Sequence, residues 1–321
     1  MFERILVPLD ESERAEQALP MAVRLIRASG GIIVLLEVVP PPVEFGPYWG
    51  EPPLLVQRAI DTDVTRAANY LTRVARLEIL TGVGTETKTV FGWPASMVLT
   101  TANEQDADLI VMTSHGRSGL SRWVLGSVAE KVIRQAPIPV LVLRHHVLRE
   151  AQHDMDQPLR GLVALDGSRA SEAVLAPAAN VMAALASPGQ ALLHLIQVLP
   201  VPSAADMSKQ LAQHAEAYLR AVSERIPQEL AKGLHLSLTW SLTYAQDVAD
   251  ALLKKAEGEE QPERDSFTAP YDLLMMATHG WGGFPPWGLG SITERVLHGS
   301  TLPLLIVRSA EQAVSSPHRI H

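Results

Sequence analysis

Residues 107–116 read ADLIVMTSHG, and residues 271–280 read YDLLMMATHG, 164 positions later. Each stretch contains an acidic residue, a short apolar run and a His-Gly pair. A continuous apolar run bounded by turn residues is typical of a strand that is covered on both faces of a parallel sheet. The repetition predicts two copies of one α/β domain in a single chain.

Each His-Gly pair begins a longer frame that the two copies share. Residues 113–127 read TSHGRSGLSRWVLGS and residues 277–291 read ATHGWGGFPPWGLGS, so nine residues separate His-Gly from Gly-Ser in both. An amphipathic segment follows each Gly-Ser pair, which predicts helices that begin at Ser127 and Ser291. The first N–H groups of a helix lie at the positive end of its dipole and bind anions readily. We predict a phosphate site in each copy; a helix cap that follows a turn, without a ligand, is the alternative.

Other segments extend the duplication over most of the chain. An apolar run that ends near an acidic residue occurs at 3–10, ERILVPLD, and at 160–168, RGLVALDGS. A second run occurs at 31–40, GIIVLLEVVP, and at 191–200, ALLHLIQVLP. Because helical segments alternate with these runs, each copy is predicted to form a parallel sheet with helices on both faces.

The helical pattern after the first strand also repeats. Apolar residues at spacings of three and four over 12–28 predict the first helix of one copy, and residues 168–185 predict its counterpart. Ser12 and Ser168 stand at the starts of these segments, where a hydroxyl accepts a hydrogen bond from an N–H group of the first turn. We expect both serines to be N-caps.

The domain limits follow from a polar, aperiodic join at 145–158. We predict a first domain at 1–146, a linker at 147–158, a second domain at 159–309 and a frayed tail at 310–321.

Composition excludes several classes of function. The 321 residues include no cysteine, which excludes disulfides, thiolate metal sites and cysteine nucleophiles. The net charge of −8 disfavours a nucleic-acid partner, because binding the phosphate backbone requires a concentrated basic surface. No stretch approaches the roughly 18 apolar residues of a membrane span, so we expect a soluble cytoplasmic protein that binds no membrane.

The predicted topology brings several residues to one place in each copy. In an open α/β sheet, ligands bind outside the carboxyl ends of the strands. The residues predicted at these ends are Asp10, Val38 and Met112 in the first copy and Asp166, Val198 and Met276 in the second. We therefore expect one site per copy.

The residues of the first copy resemble a universal stress protein domain. The resemblance is carried by VPLDESERAEQAL, LLEVVP, FGWPAS and MTSHGRSGLSRWVLGSVAEKVIRQAPIPVLVLR, and the second copy is similar but more diverged. It covers about 1–146 and 159–309. It implies a five-stranded parallel sheet of the adenine nucleotide alpha hydrolase-like, Rossmann-like kind in each domain.

The family's nucleotide-binding branch carries Gly, two residues, Gly, nine residues, Gly, then Ser or Thr. The resemblance maps this pattern onto Gly116, Gly126 and Ser127, and onto Gly280, Gly290 and Ser291. The first Gly of the pattern is replaced by Thr113 and Ala277. Because that Gly lies near the ribose in relatives that hold ATP, we expect weakened or altered nucleotide binding here.

The resemblance also implies roles for the strand-end residues. Asp10 and Asp166 match the aspartate beside the nucleotide, and Val38 and Val198 match the position whose backbone meets the adenine edge. The full predicted site consists of Pro8, Asp10, Val38, Met112, Thr113, Gly116, Gly126, Ser127 and Val128, and of Asp166, Val198, Met276, Ala277, Gly280, Gly290, Ser291 and Ile292. Magnesium is expected only together with nucleotide, through Asp10 and Asp166.

The second copy departs from the pattern in further ways. Ala164 replaces the proline found at Pro8, and residues 243–250, TYAQDVAD, lack the Gly-x-Pro of residues 92–94. Its loop at 281–289, WGGFPPWGL, is aromatic and could cover a ligand, contact a partner or fold onto its own domain.

The resulting hypothesis is an ATP-binding regulatory protein of a stress response that has an unidentified protein partner. Hydrolysis should be slow at most, since no general base or arginine finger is evident.

His115 and His279 are interpreted as loop residues, with catalysis as the alternative. A nucleotidyl-transfer or ATP-hydrolysing enzyme of the same fold is a second alternative, but the Ser-Gly-Gly-type loop that it needs after the first strand is absent. In a third alternative, one or both repeats bind no nucleotide, and IPVLVLR (138–144) pairs with LPLLIVR (302–308) of the same chain as an interaction module, which forms an intramolecular pseudo-dimer. A homodimer of two chains is a separate alternative.

Overall fold

The computed structural model describes residues 2–41, 53–115, 125–144, 158–201, 205–229, 236–258, 270–279 and 289–309. Gly116, Gly280, the aromatic residues of the 281–289 loop, the tail and all but Pro158 of the predicted linker lie outside these ranges. The chain divides into two compact units, Met1–Val140 and Leu141–His321.

The first repeat alternates strands and helices from its start. In chain order its elements are β1 (Arg4–Leu9), α1 (Glu13–Glu16), α2 (Ala18–Ser29), β2 (Ile32–Val39), α3 (Pro53–Val74), a 3-10 turn (Glu78–Leu80), β3 (Gly84–Phe91), α4 (Pro94–Glu104), β4 (Leu109–Thr113), α5 (Ser127–Gln135) and β5 (Val140–Leu143).

The second repeat has the same order of strands and α-helices. They are β6 (Leu159–Leu165), α6 (Arg169–Glu172), α7 (Leu175–Ala186), β7 (Ala191–Pro200), α8 (Ala205–Glu229), β8 (Leu236–Ala245), α9 (Val248–Glu257), β9 (Leu273–Ala277), α10 (Ser291–Gly299) and β10 (Leu304–Val307).

The strand pairing confirms the predicted fold class. In the first unit the strand order is β3-β2-β1-β4, and each of these pairs is parallel. In the second unit the order is β10-β9-β6-β7-β8, again parallel throughout. Every residue of β9 is buried. Because successive strand side chains point to opposite faces, both faces of the sheet are covered there.

The two predicted N-caps are confirmed. The Ser12 hydroxyl accepts a 3.1 Å hydrogen bond from the N–H of Ala15, and the Ser168 hydroxyl accepts one of 3.0 Å from the N–H of Ser171. These bonds fix the point at which the chain turns from the first strand of each repeat into a helix.

The prediction of one continuous helix after each first strand was wrong. A break separates α1 from α2 at Gln17, whose N–H bonds to the carbonyl of Arg14, three residues back. The second repeat has the matching contact between Ala173 and Ala170 at the end of α6. A tighter i to i−3 bond of this kind interrupts the α-helical ladder.

The second repeat begins α9 without the Gly-x-Pro of the first. Pro94 is the first residue of α4, whereas the Asp247 side chain caps α9 by accepting a 3.1 Å hydrogen bond from the N–H of Asp250. Asp247 also forms a bidentate pair with Arg295 of α10, at 2.9 and 2.5 Å. A side-chain cap thus replaces the proline start and links α9 to the helix that follows the repeated frame.

Candidate functional site

A cavity of about 340 Å³ lies at the carboxyl ends of β1, β2 and β4 in the first repeat. Its wall includes every predicted residue of this copy that the structure describes, namely Pro8, Asp10, Val38, Met112, Thr113, Gly126, Ser127 and Val128. The three strand ends therefore meet at one cavity, and its use as a binding site stays a prediction. Gly116 lies outside the described residues.

A second cavity of about 190 Å³ occupies the corresponding place in the other repeat. The predicted residues on its wall are Asp166, Val198, Met276, Ala277, Gly290, Ser291 and Ile292. Gly280 lies outside the described residues. The two halves of the chain therefore bring matching residues to matching cavities.

The glycine before each helix is held against the end of the fourth strand of its repeat. The N–H of Gly126 donates to the carbonyl oxygen of Ser114, and the N–H of Gly290 donates to that of Thr278, both at 2.9 Å. The N-cap residues of α5 and α10 are Gly126 and Gly290, which have no side chain to cap the helix. The first turn of each helix borders its cavity with backbone N–H groups at the positive end of the dipole, which favours an anion there.

The aspartate at the end of each first strand stabilises the turn beside its cavity. Oδ1 of Asp10 accepts hydrogen bonds from the hydroxyl and the N–H of Ser12, at 2.5 and 3.2 Å. Oδ1 of Asp166 accepts the same two bonds from Ser168, at 2.6 and 3.0 Å. The carboxylates are thus positioned by the turn itself.

The strand-end residues of the repeated frame bond mainly within their own loop. The Thr113 hydroxyl donates to the carbonyl of His115 at 2.9 Å, and Nδ1 of His115 lies 3.0 Å from the Ser114 hydroxyl. In the second repeat Nδ1 of His279 lies 3.2 Å from the Thr278 hydroxyl. These contacts agree with the interpretation of both histidines as loop residues.

Burial lowers the pKa of His279, and the nearby positive charge of Arg308 lowers it further. Both effects favour the neutral form of His279, which lies on the wall of the second cavity.

Charged residues that the motif analysis missed also line the first cavity. They include Glu37 of β2 and Asp63 and Arg66 of α3. Arg66 pairs with Asp63 at 3.0 Å and with Glu11 at 3.0 Å, and these carboxylates raise its pKa, Glu11 most strongly. Glu37 could have been found, because it is the one charged residue in the apolar run 31–40.

Two further properties bear on the site. Among the described residues, no cluster of three or more His, Asp or Glu side chains is placed to hold a metal ion. Within the same ranges, none of the helices is long and apolar enough to cross a membrane.

The model of the universal stress protein family matches residues 1–144 and 160–308. A universal stress protein of Mycolicibacterium smegmatis is 25% identical over 313 residues, which cover 95% of this chain and 96% of that protein. One from Thermus aquaticus is 33% identical over 145 residues, 45% of this chain and 100% of the relative. The first match therefore spans both repeats, whereas the second has the length of a single repeat.

The fold is also similar to that of solved structures. The crystal structure of a universal stress protein from Archaeoglobus fulgidus has a TM-score of 0.66 to this chain at 23% identity, and covers 95% of this chain and 98% of its own. This likeness supports the two-repeat α/β fold.

Proposed function

The chain belongs to the universal stress protein family, and from that premise we propose that its first repeat binds an adenine nucleotide, ATP or a close relative. Occupancy of the cavity would regulate the binding of a protein partner during a cellular stress response. We place this activity in the cytoplasm.

The observation that carries the proposal is the composition of the first cavity. Eight predicted residues from three strand ends and one helix start lie on a single wall. The volume of about 340 Å³ is within the range of small-molecule sites. Sequence-distant residues that converge on a ligand-sized cavity support a binding site more strongly than a helix cap alone.

The chemistry of the wall suits the parts of a nucleotide. The first turn of α5 lies on the cavity wall, where its backbone N–H groups at the positive end of the helix dipole favour a phosphate. Val38 and Met112 provide an apolar surface for a flat base. We assign the phosphates to the Gly126 side and the adenine to the Val38 side.

Magnesium would enter with the nucleotide. Asp10 lies on the cavity wall and offers a carboxylate, which is a ligand type that Mg²⁺ prefers. When bound, the ion would neutralise phosphate charge. Since the described residues hold no cluster of three or more acidic or histidine side chains, the phosphates would have to supply part of the coordination.

We propose a regulatory role and no efficient catalysis. A rate of ATP turnover on the order of one to a thousand per second, typical of enzymes, would contradict this proposal.

The test is to identify and count the nucleotide. Mass spectrometry of small molecules released from freshly purified protein should detect an adenine nucleotide, and titration calorimetry with ATP and Mg²⁺ should show binding that Gly126→Val abolishes. Circular dichroism of that variant checks that the fold is retained. If the wild-type protein binds no adenine nucleotide at millimolar concentration, the proposal fails and the interaction-module alternative takes its place.

A further inference from the structure

The two cavities occupy matching positions but differ in size. The first has a volume of about 340 Å³ and the second of about 190 Å³. Ligand sites for drug-sized molecules usually measure about 300–1,000 Å³, so the second cavity is smaller than that range. At two matching helix positions on the cavity walls, the second repeat has the larger side chain.

The third residue of the helix after the repeated frame is the first of these positions. It is Ala129 in α5 and Thr293 in α10, and both line their cavities. Thr293 is buried, and its hydroxyl donates a 3.1 Å hydrogen bond to the carbonyl of Ala277 at the end of β9. The Thr293 side chain therefore bridges helix and strand where Ala129 leaves space.

The fifth residue of the preceding helix is the second position. It is Val98 in α4 and Leu252 in α9, and again both line their cavities. Both side chains are buried. Because buried side chains are closely packed and held in place, the additional methylene of Leu252 occupies volume that a ligand would need.

Other differences at matching positions act in the opposite direction. Ala164 and Ala277 are smaller than Pro8 and Thr113, their counterparts on the first wall. The second cavity is nevertheless the smaller of the two. The second wall also lacks a counterpart of Glu37, because Gln197 stands at that position and is not among the described residues that line the cavity.

We infer that Thr293 and Leu252 close the second cavity to adenine nucleotides, so that each chain binds one nucleotide, in the first repeat. The inference rests on the proposed function of the first cavity. It makes these two residues determinants of which repeat responds to nucleotide.

A reciprocal exchange of side chains tests the inference. Titration calorimetry with ATP and Mg²⁺ should give one equivalent for the wild-type chain and two for Leu252→Val/Thr293→Ala. The opposite exchange, Val98→Leu/Ala129→Thr, should weaken binding to the first site by about tenfold or more, because one methylene in a closed pocket discriminates by that amount. Thr293→Val is the matched control: it removes the hydrogen bond but keeps the volume, and should leave one equivalent.

The outcomes separate this inference from the function on which it rests. Two equivalents in the wild-type chain would overturn the inference and leave nucleotide binding intact, whereas no binding by the wild-type chain would overturn the proposed function itself. One equivalent in both the wild-type chain and Leu252→Val/Thr293→Ala would overturn the assignment to these residues. Thermal melts confirm that each variant is folded, and if Val98→Leu/Ala129→Thr does not fold, the enlarged second cavity decides the question.

Discussion

The carbonyl oxygen of Ser114 accepts a 2.9 Å hydrogen bond from the N–H of Gly126 and would lie only 3.0 Å from a Cβ at that position. The second repeat has the same arrangement. The N–H of Gly290 donates a 2.9 Å hydrogen bond to the carbonyl oxygen of Thr278, which would lie 3.1 Å from a Cβ on Gly290. In each repeat the glycine links the start of a helix to the end of the fourth strand, and it therefore contributes to stability. Gly126 in addition belongs to the proposed phosphate site.

Gly126→Ala and Gly290→Ala should consequently destabilise the protein to a similar extent, by about 1–3 kcal/mol, since each forces a Cβ against a backbone oxygen. Only Gly126→Ala should also weaken ATP binding. Urea unfolding and calorimetry on both variants provide the comparison. If Gly126→Ala has wild-type stability and wild-type ATP affinity, neither the fold nor ATP binding requires a glycine beside the carbonyl of Ser114.

The two N-cap serines should contribute equally to stability. Ser12→Ala and Ser168→Ala each remove a hydroxyl that accepts from a helix N–H and donates to an aspartate. We expect each substitution to lower the free energy of unfolding by about 0.5–2 kcal/mol.

Ser223→Ala is the control for these variants, because that hydroxyl lies within α8 and donates to the carbonyl of Arg220 rather than capping a helix start. It should change stability by less than about 0.5 kcal/mol. Chemical denaturation of the three variants measures the effect. An equally large loss in Ser223→Ala would indicate that capping is not the cause.

The fold and the meeting of the strand ends at one cavity could be predicted because their signals are local. Buried strands require apolar runs, and both copies retain them at matching places. The parallel topology then brings the strand ends together, which is why Asp10, Val38 and Met112 were expected at one edge of the sheet, where they line one cavity. The capping serines followed from the same reasoning.

The remaining features depend on packing that a single sequence does not encode visibly. Asp63 and Arg66 belong to a helix with many exposed charged residues. In the sequence, nothing distinguishes these two from the other charged residues of the helix; only the position of the helix beside the cavity does. The break at Gln17 arises from a backbone bond without a distinctive residue. The closure by Thr293 depends on the direction of one side chain, which only the contact with Ala277 reveals.

Arg66 should contribute more to binding than to stability. Its side chain is 57% exposed, and ion pairs at such sites contribute about 0–1 kcal/mol after solvent screening. Arg66→Ala should therefore leave the free energy of unfolding within about 1 kcal/mol of wild type. Loss of a positive charge at the first cavity should lower ATP affinity several-fold, and this loss should diminish at high salt.

Arg73→Ala is the matched control, because Arg73 stacks on Tyr70 of the same helix and does not line the first cavity. Calorimetric titration at low and high salt compares the two variants. Equal losses of affinity in both would attribute the effect to the overall charge of α3 rather than to the cavity.

The neutral state of His279 should make stability depend on pH. Burial and Arg308 lower the pKa of His279 in the folded protein, whereas the unfolded chain retains a value near 6.5. As the pH falls below the unfolded value, the unfolded state takes up a proton first, and the free energy of unfolding decreases. The contribution of His279 to the free energy of unfolding is fully present above its pKa in the unfolded chain. It is fully lost below its pKa in the folded protein.

Between about pH 8 and about pH 5, the free energy of unfolding should therefore fall less in His279→Gln than in the wild-type protein, because glutamine does not titrate. Urea denaturation at several pH values measures the difference between the two slopes. Acidic groups elsewhere titrate in both proteins and cancel in the comparison. If the slopes are identical, His279 is protonated equally in the folded and unfolded states, and the burial and positive charge around it do not control its titration.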